Sequence, residues 1–97
     1  MKRADAIRIL KQHETELKTL GVKHLFLFGS VARDEAEEGS DVDLFFDHVK
    51  GGLGLYELMD VKERTRDILG RRTDIMTRAS LHPSLRKRIE ETALRVF

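Results

Sequence analysis

The sequence predicts an α+β fold in two layers, a small mixed sheet of about three strands with helices packed on one face. Three observations carry that expectation. Val22 to Phe28 is an apolar run rich in aromatic side chains that Gly29-Ser30 ends, and Asp41 to Phe46 opens with two acidic residues and closes wholly apolar. Around these two strands, several segments place apolar residues at helical spacing. A chain of 97 residues has room for one domain, spanning 1–97.

Each element follows from its residues. Between Ala4 and Leu20, the side chains Ala6, Ile7, Leu10, Leu17 and Leu20 recur at roughly helical spacing, so a single amphipathic helix is expected, stopped by Gly21. His13 sits near that stripe without partner residues, which gives it a surface or packing role. Leu25 to Phe28 is continuously apolar and suits a strand buried on both faces. Val31 to Ala36 fits a short helix with Ser30 as its cap, and Glu37, Glu38 and Gly39 form a polar turn. Because side chains alternate along a strand, Val42, Leu44 and Phe46 share one face of the next strand and Asp41, Asp43 and Phe45 the other.

His48 to Gly54, with Gly51, Gly52 and Gly54, reads as a flexible loop. Leu55 to Leu69 is a second long helix that should bury Leu55, Leu58, Met59, Val61, Ile68 and Leu69, with Gly70 as its stop. Arg71 to Thr77 is a short third strand with Asp74 at its centre. From Pro83 onward, Leu85, Ile89, Ala93 and Val96 mark a closing amphipathic helix. If Gly29-Ser30 and Asp41 are to meet, the first two strands must run antiparallel.

Composition narrows the function. Without cysteine there is no disulfide framework, no thiolate metal site and no cysteine nucleophile. No apolar run approaches the roughly 18–20 residues of a membrane span, and Met1-Lys2-Arg3-Ala4-Asp5-Ala6 lacks a signal-peptide core. A cytoplasmic protein with no membrane partner is therefore expected. The net charge of +1 hides an uneven distribution: residues 34–47 carry seven acids, among them Asp41, Asp43 and Asp47, with no Lys or Arg, whereas residues 61–90 are rich in Arg and Lys. One reading is a metal-facing half and a phosphate- or partner-facing half; the other is that most of these charges solvate helix faces. No dedicated nucleic-acid-binding field is present, so nucleic acid is not expected as a direct partner, and homo-oligomerisation is left open.

The candidate chemistry lies in residues 22–47. Two carboxylates at i and i+2 on one strand face, Asp41 and Asp43, offer up to four oxygens in a small volume. Magnesium typically takes one or two protein carboxylates plus phosphate oxygens and water. Two such ions about 3.5–4 Å apart can clamp the attacking and leaving oxygens of a phosphoryl displacement. A carboxylate from a neighbouring strand, best supplied by Asp74, would complete the metal site and help deprotonate an acceptor hydroxyl. Gly29 admits a phosphate to the backbone, the helix that follows offers unpaired N–H groups, and Ser30 can add a hydroxyl donor. Arg33 either reaches a phosphate or pairs with the acids at 34–38.

The joint spacing is more specific than its parts. Gly29-Ser30-Val31-Ala32-Arg33, six residues, then Ser40-Asp41-Val42-Asp43-Leu44 resembles the signature of the minimal nucleotidyltransferases of the DNA polymerase beta-type nucleotidyltransferase superfamily. The resemblance extends over most of the chain, through Thr73-Asp74-Ile75-Met76-Thr77 to a closing helix from Leu85 to Val96. It implies the nucleotidyltransferase fold and transfer of a nucleotidyl group, usually from ATP with Mg²⁺, releasing pyrophosphate. By this carry-over Gly29 and Ser30, with Arg33 and Ser40 beside them, bind the nucleotide, while Asp41, Asp43 and Asp74 form the catalytic, metal-holding triad.

Members of this size are commonly antitoxins that transfer AMP to a tyrosine of a helical HEPN-domain ribonuclease toxin. Three rival readings stand beside this one, the weakest being a purely structural subunit of a larger transferase. The first is a module that neutralises a partner by contact alone, and the second is nucleotidyl transfer to a small molecule such as an aminoglycoside, or to RNA, which the lack of room for a second domain disfavours.

Overall fold

A computed structural model describes all 97 residues. Its central element is a four-stranded sheet in the order β3-β2-β1-β4, built from β1 (Val22–Phe28), β2 (Val42–His48), β3 (Thr73–Thr77) and β4 (Leu94–Arg95). β1 and β2 pair antiparallel, as the site requires, while β2 and β3 pair parallel and β4 runs antiparallel to β1. A parallel neighbour needs a crossover, which is the work of α4 (Leu55–Leu69).

One face of the sheet carries the core. Leu25, Leu27, Val42, Leu44, Phe46 and Ile75 are all buried against Ala6, Leu10, Leu17, Val61 and Leu69 of the helices. The register shifts between Val22 and His24, and this irregularity lets Val22 join the same cluster although it is an odd number of residues from Leu25. The opposite face has a smaller aromatic group. Phe45, which shares its strand face with Asp43, is 1% exposed because Phe26 stacks on it at 4.7 Å and Phe28 lies at 5.8 Å.

Four expectations are corrected. The first helix is two, α1 (Arg3–Gln12) and α2 (Glu14–Thr19). The break falls at His13, whose amide bonds back to Leu10 and whose Nδ1 lies 2.9 Å from the Ile9 carbonyl, so backbone and side chain both tighten the last turn of α1. In α4 the buried line is Val61, Thr65 and Leu69, with Leu58 and Ile68 half-buried, whereas Leu55 and Met59 are exposed. At about 100° per residue Met59 sits roughly 200° round from Val61, so both cannot face the sheet. Thr65 tolerates burial because its hydroxyl donates to the Val61 carbonyl at 2.6 Å.

The third correction is at the short helix after β1, α3, which covers Gly29–Ala32 instead of 31–36 and places Ser30 inside the helix, not at its cap. The fourth is the closing helix. α5 (Pro83–Thr92) stops short of Val96, and the remaining residues straighten into β4. Val96 is buried as part of that extended tail: its amide donates to the Leu25 carbonyl at 2.8 Å, and Leu25 donates to Phe97 at 3.1 Å. An edge left open along β1 would expose a row of unpaired backbone groups, and these bonds satisfy part of it.

α5 buries no residue completely, and an arginine fastens it to the aromatic face of the sheet. Arg78, just after β3, donates to both oxygens of Asp47 at 2.7 and 3.0 Å and to Glu90 of α5 at 2.7 Å. Its guanidinium also lies 4.8 Å from the Phe26 ring centre and 5.1 Å from that of Phe45. The hydrogen bonds hold both carboxyls below their ordinary range and push the arginine further up. A depressed carboxyl stabilises the fold above the ordinary carboxylate range near 4, and that contribution is lost as pH falls through the lowered value. Urea midpoints followed by circular dichroism are expected to fall steadily with acidification below about pH 4 in the native protein. Arg78→Ala should start lower at pH 7, and the gap between the two proteins should close at low pH.

Candidate active site

The site is assembled by strand register. Phe28 pairs with Asp43, so the chain leaving β1 enters α3 directly beside β2. Gly29 takes φ +77°, and a Cβ added there would stand 2.2 Å from Asp43 Oδ2 and 3.1 Å from its Cβ. Only glycine lets this backbone approach the carboxylate so closely. On the other side, β2 and β3 pair Asp43 with Asp74. Residues in register project to the same face, and Ile75, the next residue in β3, is buried in the core at 2% exposure. Asp74 therefore stands with Asp43 on the face away from the core.

Asp43 is half-buried, and its pKa is raised. Desolvation is the largest cause, followed by repulsion from Asp74 and then Asp41, while Arg33 opposes the shift. A negative site held together against its own repulsion has the electrostatic character of a cation site. The geometry is incomplete, however, because no three carboxylates converge closely enough to ligate one ion. Asp41 lies just before β2, exposed, with Oδ1 at 3.0 Å from Arg72 Nε. Arg72 also donates to the Gly39 carbonyl at 3.3 Å.

The phosphate-side residues are dispersed around α3. Ser30 is its second residue, and its carbonyl accepts from the Glu35 amide at 2.9 Å. Arg33 follows α3 and pairs with Glu35 at 3.1 Å, so of its two expected roles the ion pair is realised. Ser40 closes the turn before β2 by accepting from the Glu37 amide at 3.0 Å. The charge segregation seen along the chain also partly cancels in space, since Arg72 and Arg78 of the basic stretch pair with Asp41 and Asp47 of the acidic one.

An open cavity of about 210 Å³ adjoins Gly29, between α3 and α5. Phe28, Leu85 and Ile89 give it apolar walls, and Arg33 and Arg88 are its charged residues. A larger hollow of about 460 Å³ along α5 includes none of the acidic-site residues and is lined by Pro83 and the charged residues Arg86, Lys87, Glu90 and Glu91. Arg88 belongs to the basic stretch 61–90 expected to face phosphate or a partner, but was not singled out as a site residue. Its signal was available, because Arg88 falls three residues after Leu85 and one before Ile89, on the stripe assigned to burial.

With a mixed sheet, a glycine turn against a carboxylate and a second carboxylate in register, the architecture is that of a nucleotidyl-transferring domain. The chain belongs to the nucleotidyltransferase domain family, which it matches over residues 10–96. It is an enzyme of that class, with a nucleotide as substrate.

A Methanocaldococcus jannaschii protein with a provisional protein adenylyltransferase name is 38% identical over 85 residues, covering 86% of each chain. Protein adenylyltransferase MntA of Thermococcus cleftensis is 34% identical over 82 residues, 84% of this chain and 82% of that one. Among solved structures, one described provisionally as a minimal nucleotidyltransferase superposes with a TM-score of 0.75 at 32% identity, covering 97% and 95% of the two chains. A toxin–antitoxin structure with AMP-PNP shares the fold at a TM-score of 0.71 and 14% identity, over 90% of this chain and 72% of that one.

The Gly29 approach can be tested without any ligand. Gly29→Ala is expected to cost more stability in urea than Gly39→Ala, which has φ +89° but no atom within 4 Å of its added Cβ. Backbone strain alone should cost about 1–2 kcal/mol at either position, and the excess at position 29 measures the clash with Asp43. Adding Asp43→Ala to Gly29→Ala should recover part of that excess.

Proposed function

We propose that this domain transfers AMP from ATP, with Mg²⁺, to a hydroxyl of a partner protein and thereby acts as the antitoxin of a toxin–antitoxin pair. The tyrosine of a HEPN-domain toxin is the acceptor that the family resemblance implies. The observation that carries the reading is the Asp43–Asp74 register beside Gly29, set in a chain whose relatives bear protein adenylyltransferase names. The toxin–antitoxin structure with the same fold supports the choice of partner.

The donor set suits magnesium better than an all-protein cage would. Magnesium accepts one or two carboxylates and fills its remaining positions with water and phosphate oxygens, which matches Asp43 and Asp74 in register on neighbouring strands, with Asp74 exposed. When bound, the ion would neutralise charge developing on the phosphate oxygens. Asp41 would join by leaving Arg72, an exposed pair whose loss costs about 0–1 kcal/mol.

The protein's own share of the reaction is positional. Gly29 leaves the α3 backbone open to the triphosphate, and Arg33 stands one turn along to neutralise it. Asp43, repelled by its neighbours, is the carboxylate most relieved by a cation. In this reading Asp74, exposed on the same face, takes the proton as the acceptor oxygen attacks the α-phosphorus; the bond from that phosphorus to the bridging oxygen then breaks and pyrophosphate leaves. An acceptor presented by a second protein would also shield this open face from water, a task for which the domain has little structure of its own.

Two measurements bear on this reading. Incubation of the protein with ATP, Mg²⁺ and the product of its neighbouring gene should add the mass of AMP to the partner, and Asp43→Asn should abolish that gain. An unmodified partner in both reactions refutes the proposal, and neutralisation that survives loss of both Asp41 and Asp43 selects binding alone. Arg72→Ala should lower the Mg²⁺ concentration for half-maximal transfer by a factor of about 2–5, the equivalent of freeing Asp41 from a pair worth up to about 1 kcal/mol.

A further inference from the structure

We infer that Arg88 of α5 is a triphosphate-binding residue, and that the cavity between α3 and α5 receives the polyphosphate end of the nucleotide. The inference deepens the nucleotidyltransferase reading above and rests on it for the identity of the ligand. Its observations lie in the cavity itself. Gly29 forms part of the wall, so the backbone that a phosphate can approach opens into this space. The charged side chains lining it are two guanidiniums, Arg33 and Arg88, and no carboxylate is among its lining residues. In a chain with 17 acidic residues, a concavity whose charged lining residues are both cationic favours an anion.

The ordinary alternative is that Arg88 is one more solvated charge on a helix. Its neighbours argue otherwise. Arg86 of the same helix pairs with Glu90 at 3.0 Å, and Arg86 and Lys87 line the separate hollow along α5. Arg88 shares its face with Leu85, Ile89 and Thr92, the face that looks toward Phe28 and Gly29. No side-chain ion pair occupies its guanidinium, whereas Arg33 across the cavity is engaged with Glu35. A guanidinium with no carboxylate partner, on the lining of a cavity that also includes Gly29, can bond two phosphate oxygens at once.

The inference also gives α5 a task. A helix that buries no residue completely contributes little to the core, yet Arg78 grips it through Glu90 and holds it over the sheet. Bound there, α5 presents Arg88 opposite α3, so the nucleotide would be held between the two helices with its phosphates pointing toward Gly29.

The test is calorimetric titration of the purified protein with ATP, inorganic tripolyphosphate and adenosine, each with Mg²⁺. Arg88 is exposed and alanine suits a helix, so Arg88→Ala should fold normally. Its affinity for both ATP and tripolyphosphate should fall about tenfold, while Arg88→Lys, which keeps charge but loses the fork, should fall between it and the native protein. Adenosine binding should be unchanged.

Equal ATP and tripolyphosphate affinity in Arg88→Ala and native protein overturns the inference, as does a loss confined to adenosine, which would make Arg88 a base-stacking residue. The same proteins assayed for AMP transfer separate the two proposals. Native transfer with Arg88-independent binding defeats only the role of Arg88; Arg88-dependent tripolyphosphate binding without transfer to any partner defeats only the antitoxin reading.

Discussion

The pairing of Phe28 with Asp43 is the constraint on which the polar end of this molecule depends. It places the first residue after β1 against a carboxylate at a distance that leaves no room for a Cβ. The same strand carries Asp43 into parallel register with Asp74, so one antiparallel and one parallel ladder together define where the two acids stand. A slip of one residue in either ladder would turn one of the acids into the core face, where Leu44, Phe46 and Ile75 now pack. The energy that holds the acids side by side therefore comes from the burial of those apolar neighbours, which offsets the repulsion and desolvation that raise Asp43.

Electrostatic pairing then divides the acidic and basic segments between two tasks. At one end of the strands Arg78 binds Asp47 and Glu90 and lies over the Phe26 and Phe45 rings, an arrangement that fastens α5. At the other end Asp43 and Asp74 have no comparable partner, and Asp41 has only the exposed Arg72. An arginine that is part-buried over aromatic rings contributes structure, whereas an exposed one can be displaced at small cost. Stability and chemistry thus occupy opposite ends of the same sheet face.

Much of this was legible in order along the chain. The two strands β1 and β2, the crossover helix, Asp74 within a third strand and the antiparallel requirement all followed from apolar runs, alternation and the spacing of Gly29-Ser30 to Asp41-Val42-Asp43, and the family resemblance followed from that spacing. The misreadings share a cause. A stripe of Leu85, Ile89, Ala93 and Val96 fits a helix, but the free edge of β1 recruits the last residues as a strand; Leu55 and Met59 look like core residues until the direction of Val61 is known. In each case the local pattern was compatible with two outcomes and a distant partner chose between them.

The sequence by itself determined which residues could do chemistry and roughly in which elements, because side-chain type and the periods of helix and strand are local properties. Tertiary structure alone decided which of them meet. It set Asp43 beside Asp74, turned Asp41 to Arg72 and brought Arg88 of α5 to the cavity beside Gly29. These are relations between segments 30 to 60 residues apart, and they are fixed by strand register and by packing across the sheet, neither of which has a signature in any one stretch of the chain.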